Sequence, residues 1–348
     1  MVKSIQDGPL LLSKNDYLIA GSVSGLVSRA IVQPLDVLKI RFQLQAEPIC
    51  ACDTSKYHGF IQAIRCISKE EGTVAFWKGH IPAQLQAIAF SAVQFLSFEV
   101  FVAWLPALGA RNDPRLAFSS SSPFQTFACG CLAGGVAACT TQPLDVLRTR
   151  FIAQGEPKFY RSLSHATLYI ASHEGWSGYF RGLVPSILLV APQTGLQFAV
   201  YHTFNQLVSK VREKFTSRSA QTGSSTSQAV QDPRKNMEVG PIQSLISGGL
   251  AGMSSKSIIY PLDMAKKRMQ IHGFEEARVR FGRVPTCSGL RSCLVGIWKT
   301  EGASALFKGL QPTLVKSCVS ISCRFTVYEE MCRFLFHIHD RKQSPRSF

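Results

Sequence analysis

The chain has 348 residues, of which 46% are hydrophobic and only 17% charged, and 38 Lys and Arg against 22 Asp and Glu give a formal net charge of +16. Ordinary soluble domains carry about 25% charged residues, so this composition excludes both a disordered chain and an average water-facing surface. The cations recur in short segments between long, nearly uncharged stretches and do not gather around a nucleic-acid-reading module, the distribution of a membrane protein with basic connecting loops and no nucleic-acid partner.

Near the N-terminus the longest apolar run, Leu10 to Leu12, is too short for a signal-peptide core, so any organelle address is expected to be internal. In chain order, residues 17–35 then have membrane length but carry Arg29, and residues 81–105 hold Glu99 as their single charge. Residues 124–144 and 183–201 hold none, residues 242–262 carry Lys256, and residues 312–328 carry Lys316 and Arg324. About 20 helical residues cross a hydrocarbon layer of about 30 Å. Six helical crossings are expected, although a mean hydropathy of +0.09 would also suit the core of a soluble all-helical protein.

Triplication favours the membrane. Pro34, Asp36, Lys39 and Arg41 return as Pro143, Asp145, Arg148 and Arg150, and again as Pro261, Asp263, Lys266 and Arg268. Each copy is followed by a second signature: Glu71-Gly72 with Trp77-Lys78-Gly79, Glu174-Gly175 with Phe180-Arg181-Gly182, and Glu301-Gly302 with Phe307-Lys308-Gly309. A glycine pair four residues apart precedes each proline: Gly21 and Gly25, Gly130 and Gly134, Gly248 and Gly252. Internal repeats of this order define the architecture before any local reading. The fold class is an all-α membrane protein with six transmembrane helices in three tandem pseudo-symmetric repeats. Each repeat adds a short amphipathic helix, near residues 58–71, 163–174 and 289–301. The Ser-, Thr- and Gln-rich residues 213–240 form a flexible linker before the third copy.

The repeated residues make physical sense together. Glycines at i and i+4 allow a neighbouring helix to approach closely, and proline bends its helix so that three can converge at one end. Just past the bend, acid and base lie on adjacent turns. As local surface pairs they would contribute only about 0.3–0.5 kcal/mol; with three helices around one axis, each acid is expected to reach the base of the next and close a ring.

Charges inside a bilayer cost about 2.5–3.5 kcal/mol each on insertion scales, so they face an interior or a wet cavity. Arg29 and Lys256 stand equally far before their prolines, and Lys316, Ser320 and Arg324 share one helix face, as do Gln86, Phe90 and Gln94 and, further on, Leu189, Gln193 and Gln197. In a soluble core these cations and amides would lack carboxylate partners; in a cavity they suit a polyanion such as a diphosphate, with Gln86 and Gln193 for a heterocycle edge and Phe90 for a ring face. Lys267 is a further candidate, and Arg324 fits a cavity ligand or a snorkelling surface cation equally well. The 11 cysteines, odd in number and mostly in apolar stretches, are expected to be free, buried thiols. Cysteine and histidine spacing suggests no metal site, and the residues suggest no catalytic group and no cofactor.

The tripled signature is identified as that of the mitochondrial carrier family, over about residues 15–337. Residues such as Gly21, Gly25, Arg41, Gln43 and Phe76 to His80 lie in stretches similar to the branch of that family that carries thiamine pyrophosphate. The resemblance implies repeats at 15–106, 123–212 and 241–337, a location in the mitochondrial inner membrane, termini toward the intermembrane space, short helices on the matrix side, and a carrier that is monomeric. It implies a matrix gate pairing Asp36 with Arg148, Asp145 with Lys266 and Asp263 with Lys39, with Gln43 and Gln270 as braces and Ile152 leaving the second copy without one. It further implies substrate contacts at Gln86 with Ala87, Leu189 with Val190, and Lys316. Cardiolipin is expected as a lipid partner at Gly59, Lys78, Gly79, Arg181, Gly182, Lys308 and Gly309, where amides and a cation open helices. The opposite gate departs from the family pattern, because Val102, His202 and Cys332 stand where charges belong, and Arg333 is one position late. The expected activity is exchange of thiamine pyrophosphate by alternating access. A nucleotide or deoxynucleotide carrier is the nearest alternative, and a non-transporting adaptor or proton leak pathway of the same fold is the other.

Overall fold

The computed structural model describes residues 13–47, 55–112, 123–190, 192–193, 196, 200, 203–204, 241–274, 287 and 289–343. The expected linker at 213–240, together with Gln197, Tyr201 and His202, lies outside them. The chain falls into two compact units, one of Leu11–Ala191 with Tyr260–Phe348 and one of Met1–Leu10 with Pro192–Ile259.

Every regular element among the described residues is helical. In the larger unit, α1 runs Lys14–Leu44, α2 Phe60–Glu71 and α3 His80–Asn112, with a 3-10 turn at Thr73–Trp77. Next come α4 (Pro123–Ala153), α5 (Leu163–His173), the single turn α6 (Trp176–Tyr179) and α7, helical over residues 183–190. Helix α8 (Pro241–Gln270) begins in the smaller unit and ends in the larger, followed by α9 (Leu290–Glu301), a 3-10 turn at Ala303–Phe307 and α10 (Leu310–Gln343). Pro34, Pro143 and Pro261 all lie inside their helices, α1, α4 and α8.

Length and composition allow Asn15–Leu44, Thr73–Trp104 and Phe127–Ala153 to cross a membrane among the described residues. On α3, Ile81, Leu85, Ile88, Phe95 and Leu96 are exposed, while Gln86, Phe90 and Gln94 are half-buried. That division gives the helix a lipid-compatible apolar face and a separate face bearing amides.

The buried core lies past the prolines. Val37, Ile40 and Leu44 of α1 pack with Leu147 and Ile152 of α4, Ile170 of α5 and the segment Ile271 to Phe274. Leu38 and Phe42 meet Tyr57, Ala63 and Ile67 around α2, and Met264 and Ala265 meet Cys293 and Ile297 of α9. Each short helix therefore buries its apolar stripe against the end of its own long helix, which fixes the height of the charged residues between them.

Two expectations are corrected. Of the glycine pairs in the larger unit, only Gly134 faces a close neighbour: a Cβ there would lie 2.5 Å from Val190 Cγ1, whereas at Gly21, Gly25 and Gly130 it would meet nothing within 4 Å. The small residues mark close packing only where α4 meets α7. Cys287 and Cys293 are joined in a disulfide with a Cα–Cα distance of 4.9 Å. Cys129 is a buried free thiol as expected, but Cys318 is exposed.

Candidate functional site

The helix ends past the three prolines form a closed set of ion pairs. Arg148 Nη2 lies 2.5 Å from Asp36 Oδ2, Lys266 Nζ 2.8 Å from Asp145 Oδ2, and Lys39 Nζ 2.7 Å from Asp263 Oδ2. Each acid thus pairs with the base of the next repeat. Gln270 Nε2 donates to Asp145 Oδ2 at 2.7 Å, and Gln43 Nε2 to Asp263 Oδ2 at 3.0 Å, adding a neutral donor to two of the three links. A purely local reading of the acid-base motif fails because each acid pairs with a base of another repeat.

Two further cations enter the ring. Lys267 Nζ lies 3.0 Å from Asp145 Oδ1 and donates to Thr149 Oγ1 at 3.0 Å and Gln270 Oε1 at 2.9 Å. Read from sequence as a cavity cation, it is instead buried in this link. Lys316 Nζ is paired with Asp36 Oδ1. Ile152 provides no side-chain donor at the brace position of that link, so the link expected to stand unsupported is held by Lys316. Gln86 Oε1 also lies 3.5 Å from Arg148 Nη1. Five cations therefore surround three carboxylates. Such buried charges persist only when paired and hydrogen-bonded.

Beneath the ring lies a second set of contacts that sequence reading missed. Arg41 forms a bidentate pair with Glu71, with N–O distances of 2.5 and 2.7 Å. Arg150 does the same with Glu174 and Arg268 with Glu301. Arg150 also donates to the Gln270 carbonyl at 3.2 Å, and Arg268 to the Gln43 carbonyl at 3.1 Å, tying the second repeat to the third and the third to the first. Burial pushes the Glu71 carboxyl up, but bonds and charge from Arg41, then Lys78, outweigh it and hold it below its ordinary range. Burial pushes the Tyr57 hydroxyl, which accepts from Arg41 at 3.2 Å, up to about 12. The residues preceding the prolines also act alike: Gln33 donates to the Lys78 carbonyl at 3.0 Å, Gln142 to that of Arg181 at 2.8 Å, and Tyr260 to that of Lys308 at 2.8 Å. Their common offset from proline was the available signal.

The residues read as lipid contacts are partly committed elsewhere. Lys78 Nζ lies 2.6 Å from Glu71 and 3.1 Å from Glu156; Arg181 lies 2.7 Å from Glu174; and Lys308 lies 2.5 Å from Glu301 while donating to the Ala46 carbonyl at 2.8 Å. Burial pushes the Lys308 ammonium down despite its Glu301 partner. Gly79, Gly182 and Gly309 have φ of 74°, 77° and 85°, a region that favours glycine. Gly59 caps α2 in extended backbone.

The cavity residues divide between the units. In the larger one, Arg29, Gln86, Ala87, Phe90, Leu189 and Val190 are half-buried, as is Lys316, while Arg324 is exposed. Arg29 Nε is buried without a hydrogen-bond partner among the described residues. Lys256 and Gln193 are half-buried in the smaller unit. At the far end of α10, Arg333 pairs at 2.9 Å with Glu330 of its own helix, both largely exposed.

Three proline-containing helices closed by interlocking ion pairs, each followed by a short helix and a second long helix, define a triplicated six-helix membrane carrier. The chain belongs to the Mitochondrial carrier protein family, which it matches over residues 13–107, 119–212 and 238–339. It is 43% identical over 335 residues to the mitochondrial thiamine pyrophosphate carrier of Homo sapiens, covering 96% of each chain. It is 40% identical to the protein of that name from Bos taurus, covering 94% of this chain and 95% of the relative. It is also 35% identical to the mitochondrial thiamine diphosphate carrier 1 of Zea mays, covering 89% and 91%.

Proposed function

We propose that this protein exchanges thiamine pyrophosphate across the mitochondrial inner membrane by alternating access. The observation that carries the reading is the closed ring with five cations around three acids, with the half-buried Arg29 on the same helix as Asp36. The names of the relatives supply the cargo. A diphosphate suits this excess of positive charge, and the half-buried Gln86 and Phe90 offer an amide and a ring face to a heterocycle.

The ring is the matrix gate. Asp36, Asp145 and Asp263 with Arg148, Lys266 and Lys39 close that side, braced by Gln43 and Gln270, while cargo enters from the intermembrane space, which both termini face. Cargo binding then favours the state in which the ring is broken and the opposite ends close. That opposite gate is weak, since Glu99 and Glu329 are exposed and Arg333 is engaged with Glu330. Cardiolipin is held by the amides that open α3, α7 and α10 at Gly79, Gly182 and Gly309 and by the start of α2 at Gly59, with Lys78, Arg181 and Lys308 lending charge while paired to their glutamates. The carrier works as a monomer.

The test is uptake of labelled thiamine pyrophosphate by liposomes containing the purified protein, compared with ADP, dATP and coenzyme A. Preferred exchange of thiamine pyrophosphate is expected. Preference for ADP or dATP would reassign the cargo to nucleotides, and substrate-independent behaviour toward all four would overturn transport in favour of an adaptor or leak pathway.

A further inference from the structure

The three ring links differ in what supports them. Gln270 and Gln43 stand nine residues after their prolines and donate to Asp145 and Asp263. Both also lie against the glycine opening a long helix: a Cβ at Gly182 would be 3.2 Å from Gln270 Cγ, and one at Gly309 would be 3.4 Å from Gln43 Cγ. Ile152 occupies the same slot, its Cγ1 2.9 Å from a Cβ at Gly79. It fills the space and donates nothing. At this first link Asp36 receives Lys316 from α10, and Arg148 has Gln86 of α3 at 3.5 Å. The supports here come from side chains on the second helices of two repeats, both assigned above to the cargo.

We propose that Lys316 is the displaceable brace of the Asp36–Arg148 link, so that a cargo anion drawing Lys316 away unlocks the ring first at this link. The inference deepens the transport reading above and rests on it. The Lys316 side chain that reaches Asp36 is 30% exposed, against 5% for that of Asp36. A phosphate oxygen approaching from the open side competes for the same donor. Gln43 and Gln270 stand among the buried residues of the ring, where a cargo has no comparable access. Removing Lys316 leaves Asp36 with Arg148 and no brace, so the first link weakens while the other two keep theirs.

Ile152→Gln supplies the test, because glutamine already fits the equivalent slots beside Gly182 and Gly309. Melting temperature in detergent without cargo, and exchange of thiamine pyrophosphate in liposomes, are measured for the parent, Lys316→Gln, Ile152→Gln and the double variant. Lys316→Gln is expected to melt lower than the parent and to lose about tenfold or more of exchange. The double variant is expected to regain much of the melting temperature but not the exchange, separating bracing from cargo binding. Ile152→Gln alone, which keeps the full charge set, is expected to melt higher and to exchange more slowly, because its brace does not leave with the cargo. A melting gain from Ile152→Gln that is no larger in the Lys316→Gln background than in the parent, or unchanged exchange in Ile152→Gln, would overturn the proposal, and the second outcome is read even where Lys316→Gln fails to fold. Rescue of melting in a protein that carries no thiamine pyrophosphate would leave the brace standing and defeat its release by this cargo.

Discussion

Gly79 lies so close to Arg148 that a Cβ on the glycine would stand 3.0 Å from the arginine's main-chain oxygen. The relation recurs: a Cβ at Gly182 would be 3.1 Å from the Lys266 oxygen and one at Gly309 3.0 Å from the Lys39 oxygen. The three oxygens belong to the three bases of the ring. Each glycine therefore lets a second helix begin directly against the backbone that presents a gate cation. Ala at Gly309 would meet both that oxygen and the Tyr260 hydroxyl, 2.8 Å away, in a backbone region costly for any side chain. Gly309→Ala is expected to cost about 2 kcal/mol or more and to lower the melting temperature in detergent, with Gly130→Ala, where a Cβ meets nothing within 4 Å, as the control that does not melt lower. A melting temperature equal to the parent's would refute the close approach.

The acids of the ring differ in their surroundings. Asp145 is nearly buried between Lys266 and Lys267, whereas Asp263 has 22% of its side chain exposed and pairs with Lys39. Asp145→Asn leaves two enclosed ammonium groups facing a neutral amide, and stranding buried charge costs about 3–5 kcal/mol. Asp263→Asn strands one, with better access to water. Thermal denaturation should therefore rank Asp145→Asn as clearly the more damaging, and the reverse order would contradict the double-lysine arrangement.

The ring pairs were legible because acid and base recur at fixed offsets from three prolines, and a repeated offset under threefold symmetry carries geometric information, whereas the two glutamine braces were read from the family resemblance. Arg41 with Glu71 carried the same kind of signal and went unread, since the two belong to separate signatures 30 residues apart. Lys316 on Asp36 and Lys267 on Asp145 were not legible: neither recurs at its offset, and helix periodicity tells which face a lysine occupies but not which anion its long stem reaches. Gly79 was read as a lipid contact because its role against Arg148 depends on a distance between repeats. Cys287 and Cys293 stand where the first repeat has Tyr57 and Ala63, so their pairing belongs to one copy and left no periodic trace.

Glu71 supplies the pH dependence. Its carboxyl is held below its ordinary value of 4.5 by Arg41 and Lys78, against burial. An acid with a lowered folded value stabilises fully above its unfolded value and loses that contribution as the pH falls through the folded one. The parent should keep its Glu71 contribution above about pH 4.5 and lose it progressively in more acidic solution. Glu71→Gln should already lack it at neutral pH, melting lower than the parent, and the gap should narrow as the pH falls below 4.5. A gap that stays constant or widens in acid would count against the ion pair as the source of stability.

Arg29 separates cargo binding from gate stability. Its Nε is buried without a hydrogen-bond partner among the described residues. A buried donor left unpaired serves the fold poorly but suits an arriving diphosphate, for which the planar fork of an arginine offers paired donors. Arg29→Gln removes one charge-assisted contact, so KM for thiamine pyrophosphate should rise about tenfold or more while the melting temperature without cargo holds steady or rises. Arg29→Lys keeps the charge but loses the fork, and should fall between the two. Exchange rates across a range of cargo concentrations, together with melting curves, read both effects. A lowered melting temperature with unchanged KM would mean that Arg29 supports the helices and not the cargo.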